Sequence, residues 1–154
     1  GSPFDYRTQM CIHIVRSMPA PGEDGYEAAV ARWVLHFLAE TDGKAFVLFT
    51  SYRLLRQTAA ALRDACAANN WGLFVQGEGM PRHRMIQAFA DHGRGVLLGT
   101  ESFWTGVDVP GEALSNVIIT RLPFAVPDHP LTASRRRHRR RCAAGTEDSS
   151  AGRV

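Results

Sequence analysis

The chain has 154 residues, of which 45% are hydrophobic and 21% are charged. This composition is typical of one globular domain and excludes a chain that is disordered throughout. No apolar run approaches the ~20 residues that a membrane-spanning helix needs. The first residues also lack the basic and apolar regions of a secretory signal. The sequence therefore predicts a soluble, cytoplasmic protein without a membrane partner.

The formal net charge of +3 is unevenly distributed along the chain. Residues 135–154 hold seven Arg against Glu147 and Asp148, a net charge of +5. Residues 1–134 hold eleven basic and thirteen acidic side chains, a net charge of −2. The basic character therefore belongs to the C-terminal segment and does not indicate a basic folded surface. Because this segment lacks apolar periodicity, we expect a folded domain over residues 1–134 and a disordered tail over residues 135–154.

The cysteines and histidines do not form a metal-binding pattern. Cys11, Cys66 and Cys142 lie more than fifty residues apart, and the six His are scattered. Zinc and iron–sulfur sites need closely spaced ligands. The sequence therefore predicts no metal ligands and no iron–sulfur ligands in this chain.

Strands and helices are predicted to alternate along the chain. The first strand is expected over residues 9–15, and Pro19 and Pro21 end it. Apolar residues at three- and four-residue steps predict helices over residues 23–41 and 52–69, and Pro81 marks the start of a third. The remaining strands are short apolar runs over residues 45–49, 73–75, 95–100 and 116–120. This order is typical of an α/β domain with a mostly parallel sheet flanked by helices in three layers.

Functional residues of such folds lie in the loops at the carboxyl ends of the strands. Thr50, Ser51 and Tyr52 follow one strand at a helix start, where free amides and a hydroxyl favour a phosphate. The alternative is a simple N-terminal cap of the helix. Gln76 begins a second loop, Gln-Gly-Glu-Gly, which is either a polar contact or only a turn.

The third loop, residues 101–111, is the richest in chemistry. Thr100, Ser102 and the backbone amides that follow a buried strand can cradle a phosphate. Phe103 and Trp104 can stack on nucleic-acid bases. Asp108 can accept a hydrogen bond from a ribose. The structural alternative is that the two aromatic residues anchor the loop to the core and Asp108 caps a turn.

Six short segments, taken in order, resemble the C-terminal motor lobe of DinG-type helicases, which are XPD-like members of superfamily 2. They are SPFDY at residues 2–6, VLFTSY at 47–52, QGE at 76–78, GT at 99–100, SFWTGVDVPG at 102–111, and RLPF at 121–124 followed by Pro127. The resemblance covers residues 2–138. Any one segment would be a weak signal, but their order and spacing together are specific.

This resemblance implies a RecA-like second lobe of an ATP-driven helicase that moves 5′ to 3′ on single-stranded DNA. By this resemblance the DNA-contacting residues would be Thr50, Ser51, Tyr52, Gln76, Thr100, Ser102, Phe103 and Trp104. Gly106 and Asp108 would lie nearer the nucleotide. The implied partners are single-stranded DNA and the N-terminal helicase lobe. ATP and Mg²⁺ would be bound mainly by that lobe.

The sequence also departs from the family pattern. Thr105 stands where Glu is usual, and no Gln-x-x-Gly-Arg-x-Ile-Arg pattern follows Pro130. Neither a GxxxxGK[ST] phosphate loop nor an Asp-Glu-x-His box occurs in the 154 residues. We therefore expect no catalytic residues within this chain and no ATP hydrolysis by it alone.

Two functions from different classes remain open from the sequence. In the first, the chain is one lobe of a helicase, and its Arg-rich end is a truncation or frameshift product. In the second, it is a stand-alone, non-catalytic nucleic-acid-binding module, and residues 135–141 attract phosphates. A different doubly wound nucleotide-binding domain would explain the sheet but not the ordered segments.

Overall fold

Four strands of the described residues form a parallel sheet at the centre of the fold. The computed structural model describes residues 10–100, 103, 109 and 113–122. The strands lie in the order β2-β3-β1-β4, and all three neighbouring pairs are parallel. Their bounds are Ala45–Leu48 for β1, Gly72–Val75 for β2, Gly95–Gly99 for β3 and Asn116–Ile119 for β4. The predicted α/β class is confirmed.

In the described part of the chain, three helices cover the two faces of this sheet and complete the three layers. They are α1 over Tyr26–Glu40, α2 over Tyr52–Ala68 and α3 over Arg82–His92. All of these elements lie in the unit of the chain that ends at Arg121. None of the described helices is long and apolar enough to cross a membrane.

Alternate residues of the strands pack against different helices, because successive side chains of a strand point to opposite faces. Val47 of β1 packs with α1 and α2, in a cluster that includes the fully buried Leu38, Leu55 and Leu62. Its neighbours Phe46 and Leu48 belong to the other cluster, with Leu97, Met85 and Phe89. Burying each large apolar side chain contributes about 1.5–3 kcal/mol, so these two clusters hold the layers together.

The N-terminal segment differs from its prediction. Residues 10–15 were expected to be part of a strand, but the structure shows no regular secondary structure there. Met10, Ile12 and Ile14, which alternate with other residues in this segment, are 53%, 70% and 74% exposed. His13 lies against Phe37 of α1, with 5.4 Å between ring centroids. An alternating pattern is not sufficient for a strand when none of the described strands pairs with the segment.

Helix α1 also begins later than predicted, at Tyr26 instead of residue 23. Glu23 takes part in a turn, since its carboxylate accepts a hydrogen bond of 2.7 Å from the Ala20 amide. Gly25 then precedes the helix with a φ of 83°. This left-handed conformation suits Gly and places the helix start after it.

A polar contact joins three turns at the amino end of the sheet. Trp71 Nε1 donates a hydrogen bond of 3.0 Å to Asp42 Oδ1, and Arg94 Nη2 donates to the same oxygen. Asp42, Gly43 and Lys44 all have positive φ, between 46° and 79°. A side chain at Gly43 would lie 2.9 Å from the Arg94 carbonyl oxygen, so the turn needs Gly there. The hydrogen bonds from Arg94 and Trp71 lower the pKa of Asp42.

We predict that Asp42→Asn lowers the thermal midpoint at neutral pH, because it removes the charge that Arg94 pairs with. The folded-state pKa of Asp42 is depressed, so its contribution is complete above the unfolded value of about 3.9 and is lost as the pH falls through the folded value. The gap in midpoint between wild type and variant should therefore narrow at the acid end of a thermal-unfolding series. Asp64→Asn, on the exposed face of α2, is the matched control. A gap of constant size at every pH would contradict this account.

Candidate nucleic-acid interface

The strands end together at one edge of the sheet, which we call the carboxyl edge. Leu48 of β1 is in register with Gly99 of β3 and with Ile119 of β4. Beyond these residues the chain continues into the loops that the sequence singled out. The predicted site residues that the structure describes beyond these strand ends are Thr50, Ser51, Tyr52, Gln76, Thr100 and Phe103.

Gln76 joins two of these loops through its side chain. Its Oε1 accepts hydrogen bonds from the Thr100 amide at 2.6 Å and from the Thr100 hydroxyl at 2.9 Å. Its Nε2 donates to the Tyr52 hydroxyl oxygen at 2.5 Å. The structure thus brings Tyr52, Gln76 and Thr100 into one network, and Gln76 is more than part of a turn. Thr100 is buried, with 6% of its surface exposed, whereas Tyr52 is 47% exposed.

Thr50 and Ser51 are exposed at the start of α2. Ser51 occupies the N-cap position with extended backbone, but its hydroxyl makes no capping hydrogen bond. The simple N-cap interpretation is therefore not what the structure shows. Since the first amides of a helix have no partner within it, the hydroxyl and these amides form a donor-rich surface.

A shallow groove of about 220 Å³ lies beside Thr50 and Ser51, between the starts of α1 and α2. Its charged residues are Glu27, Arg53 and Arg121. None of them was predicted as a site residue, although Arg121 begins the RLPF segment. Arg53 Nη2 lies 3.7 Å from Glu27 Oε1, and the two side chains are 79% and 40% exposed. An exposed pair of this length contributes little stability, so Arg53 can exchange Glu27 for an anionic ligand at small cost.

Phe103 lies in the core, contrary to its expected contact with DNA. Only 3% of its surface is exposed, and its ring packs edge-on against Phe46 with 6.0 Å between centroids. An added Cβ at Gly99 would lie 2.7 Å from Phe103 Cγ, so the ring rests on the β3 backbone. The Arg82 guanidinium carbon lies 5.2 Å from the ring centroid. These contacts fit the anchoring interpretation of Phe103 and leave no ring face on which a base can stack.

The remaining predicted site residues lie outside the described part of the chain. They are Ser102, Trp104, Gly106 and Asp108, and their assignments stay predictions. Among the described residues, no group of three or more His, Cys, Asp or Glu is arranged to hold a metal ion.

Comparison with known proteins assigns the chain to a family. A family model described as the helicase C-terminal domain matches residues 34–150. The chain is 36% identical to the ATP-dependent DNA helicase YoaA of Escherichia coli K12 over 134 residues, which are 87% of this chain and 20% of that protein. It is 36% identical to the 3′-5′ exonuclease DinG of Bacillus subtilis over 138 residues, 87% of this chain and 15% of that protein. It is 33% identical to the ATP-dependent helicase DinG of Mycobacterium tuberculosis H37Rv over 138 residues, 89% of this chain and 20% of that protein. The chain thus spans a fifth or less of the length of these relatives.

We predict that Gly99→Ala destabilises the fold by about 1–3 kcal/mol, as is usual when a methyl group is forced into a packed core. The added methyl group would meet Phe103, so the cost should nearly vanish in a Phe103→Ala background. Denaturant unfolding of the two single variants and the double variant measures this coupling. An equal cost of Gly99→Ala in both backgrounds would show that the ring does not rest on β3.

Proposed function

The chain belongs to the helicase C-terminal domain family, and on that premise we propose that it is the second, RecA-like motor lobe of a DinG-type ATP-dependent DNA helicase. In this proposal the carboxyl edge contacts single-stranded DNA, and the lobe supplies part of the ATP site where it meets a first lobe. The enzyme would translocate 5′ to 3′ and act in the cytoplasm. The folded lobe would comprise residues 1–134, followed by a disordered tail.

The observation that carries the DNA-binding proposal is the network around Gln76. It connects the start of α2 to the loop that follows β3. In the family, the counterparts of these two segments lie at the DNA. Ser51 and Tyr52 present hydroxyl groups to solvent on this edge. Hydroxyl and amide donors with nearby Arg side chains are the usual partners of nucleic-acid phosphates. We therefore propose that the sugar–phosphate backbone of a single strand runs along this edge.

The proposed contacts divide into two groups. Thr50, Ser51 and Tyr52 are exposed and would touch the strand directly. Gln76 and the buried Thr100 would act by holding the loops in place. Ser102 and Trp104 are proposed to lie on the DNA side as well, and burial excludes Phe103 from that group.

Gly106 and Asp108 are proposed to lie on the nucleotide side. ATP bound with Mg²⁺ would supply free energy through phosphoryl transfer. This transfer depends on a phosphate loop and metal-binding carboxylates. Neither a GxxxxGK[ST] phosphate loop nor an Asp-Glu-x-His box occurs in these 154 residues, so the N-terminal lobe is the proposed partner that binds most of the nucleotide.

A second function, a stand-alone nucleic-acid-binding module, is favoured by the distribution of charge. Six of the seven residues 135–141 are Arg, whereas residues 1–134 carry a net charge of −2. In this function the Arg-rich segment would supply the affinity through phosphate contacts that weaken steeply with salt.

Binding of a 20-nucleotide oligo(dT) to the full chain separates the two functions. If the chain is a helicase lobe, Ser51→Ala should weaken binding about 3- to 10-fold, because it removes one hydrogen bond to the DNA. The lobe proposal also predicts that the chain still binds oligo(dT) at the carboxyl edge after the six Arg of residues 135–141 are replaced with Gln. Ser115→Ala, at the amino end of β4, is the matched control and should bind as wild type. Loss of binding in the Arg variant, together with wild-type affinity of Ser51→Ala, would favour the stand-alone module.

We further predict that the isolated chain hydrolyses ATP no faster than its Asp108→Ala variant, with or without oligo(dT). The reason is that its sequence lacks the GxxxxGK[ST] phosphate loop and the Asp-Glu-x-His box, which supply charge-stabilising groups in phosphoryl transfer. A coupled phosphate-release assay measures the rate. Turnover clearly above that of the variant would contradict the assignment of the catalytic groups to another lobe.

A further inference from the structure

The direction of the hydrogen bonds around Gln76 is set by Thr100. A backbone N–H can only donate, so the Gln76 atom that lies 2.6 Å from the Thr100 amide must be the carbonyl oxygen. The amide nitrogen of Gln76 then faces Tyr52 and donates to its hydroxyl oxygen at 2.5 Å. The orientation of the Gln76 side chain is therefore fixed by a group that cannot reverse.

The direction of the hydrogen bond from Gln76 determines which further hydrogen bond the Tyr52 hydroxyl can make. Its oxygen accepts from Gln76, so its own proton remains available for a further hydrogen bond. Among the described residues, the contact with Gln76 is the hydroxyl's only hydrogen bond. Tyr52 is also 47% exposed. The hydroxyl thus offers a donor to whatever binds at this edge, and a matching ligand atom must be an acceptor.

The surroundings favour a negatively charged acceptor. Tyr52 is the first residue of α2, where the amides of the first turn carry partial positive charge. The nearby carboxylate of Glu78 is paired with Arg63 of the same helix, which offsets its repulsion of an anion. The Gly77 backbone lies beside the Tyr52 ring, since an added Cβ there would be 3.8 Å from Tyr52 Cε1. The ring is thus held between its helix and this loop.

We propose that Gln76 is a positioning residue that makes the Tyr52 hydroxyl an obligate donor to a phosphodiester oxygen of single-stranded DNA. The inference rests on the proposed function and assigns the chemistry of one contact within it. It also gives Gln76 a role through Tyr52 and Thr100, without requiring that Gln76 touch the DNA.

The variants Tyr52→Phe and Gln76→Glu test this direction. Tyr52→Phe removes the donor and should weaken oligo(dT) binding by the full chain about 5- to 10-fold. In Gln76→Glu the carboxylate still accepts the hydrogen bonds from Thr100. It also accepts a hydrogen bond from the Tyr52 hydroxyl, whose proton is then no longer available to the DNA. The added charge weakens binding as well, and the Tyr52→Phe background measures that effect alone. We therefore expect the Glu substitution to cost about 5-fold more with Tyr52 present than with Phe in its place.

A merely structural role of Gln76 would not produce this pattern. Thermal midpoints of the three variants should stay near that of wild type, because the Thr100 contacts are retained. An equal cost of Gln76→Glu in both backgrounds, with wild-type binding intact, would overturn the inference alone. Failure of the wild-type chain to bind oligo(dT) would overturn the proposed function and this inference with it.

Two further arms identify the acceptor. An abasic single strand should show the same loss on Tyr52→Phe, because the phosphates are unchanged, whereas a loss restricted to oligo(dT) would indicate a base contact and contradict the inference. Excess Mg–ATP should not displace the oligonucleotide from the wild-type chain. Displacement would assign the hydroxyl to a nucleotide phosphate instead.

Discussion

Parallel pairing of β1 with both β3 and β4 fixes the level at which these three strands end. Leu48, Gly99 and Ile119 lie side by side, and β2 ends beside β3. Loops that are distant in the sequence must then emerge at one edge, as in other open parallel sheets. The hydrogen bonds from Gln76 to Tyr52 and from Thr100 to Gln76 each join residues 24 positions apart and depend on this alignment.

The two ends of the sheet have different roles in this account. At the amino end, Asp42 accepts from Trp71 and Arg94 and ties three turns together. At the carboxyl end, Gln76 makes a comparable connection, but Tyr52 beside it remains half exposed. One polar contact thus stabilises the fold, whereas the other leaves a donor for a ligand. Phe103, which rests on Gly99, holds the start of the loop that follows β3.

Much of the fold followed from periodicity, because helices and buried strands leave strong apolar patterns. The sequence misled at residues 10–15, since Met10, Ile12 and Ile14 alternate but this segment pairs with none of the described strands. Phe103 could not be assigned from the sequence, because an aromatic residue in a polar loop either stacks on a ligand or anchors the loop. Gly99 was the one signal in the sequence for anchoring, because its lack of a Cβ leaves room for the Phe103 ring on β3. The bridging role of Gln76 depends on side-chain orientation, which sequence spacing does not specify.

We propose that a single strand of DNA binds along the carboxyl edge of the sheet. The most direct test is to record the backbone amide NMR signals of the full chain during a titration with oligo(dT). Binding at this edge predicts progressive shifts at Ser51, Tyr52 and Thr100, and unchanged signals at Asp42 and Gly93 near the opposite end. Shifts confined to residues 135–141, or centred on Asp42, would contradict it.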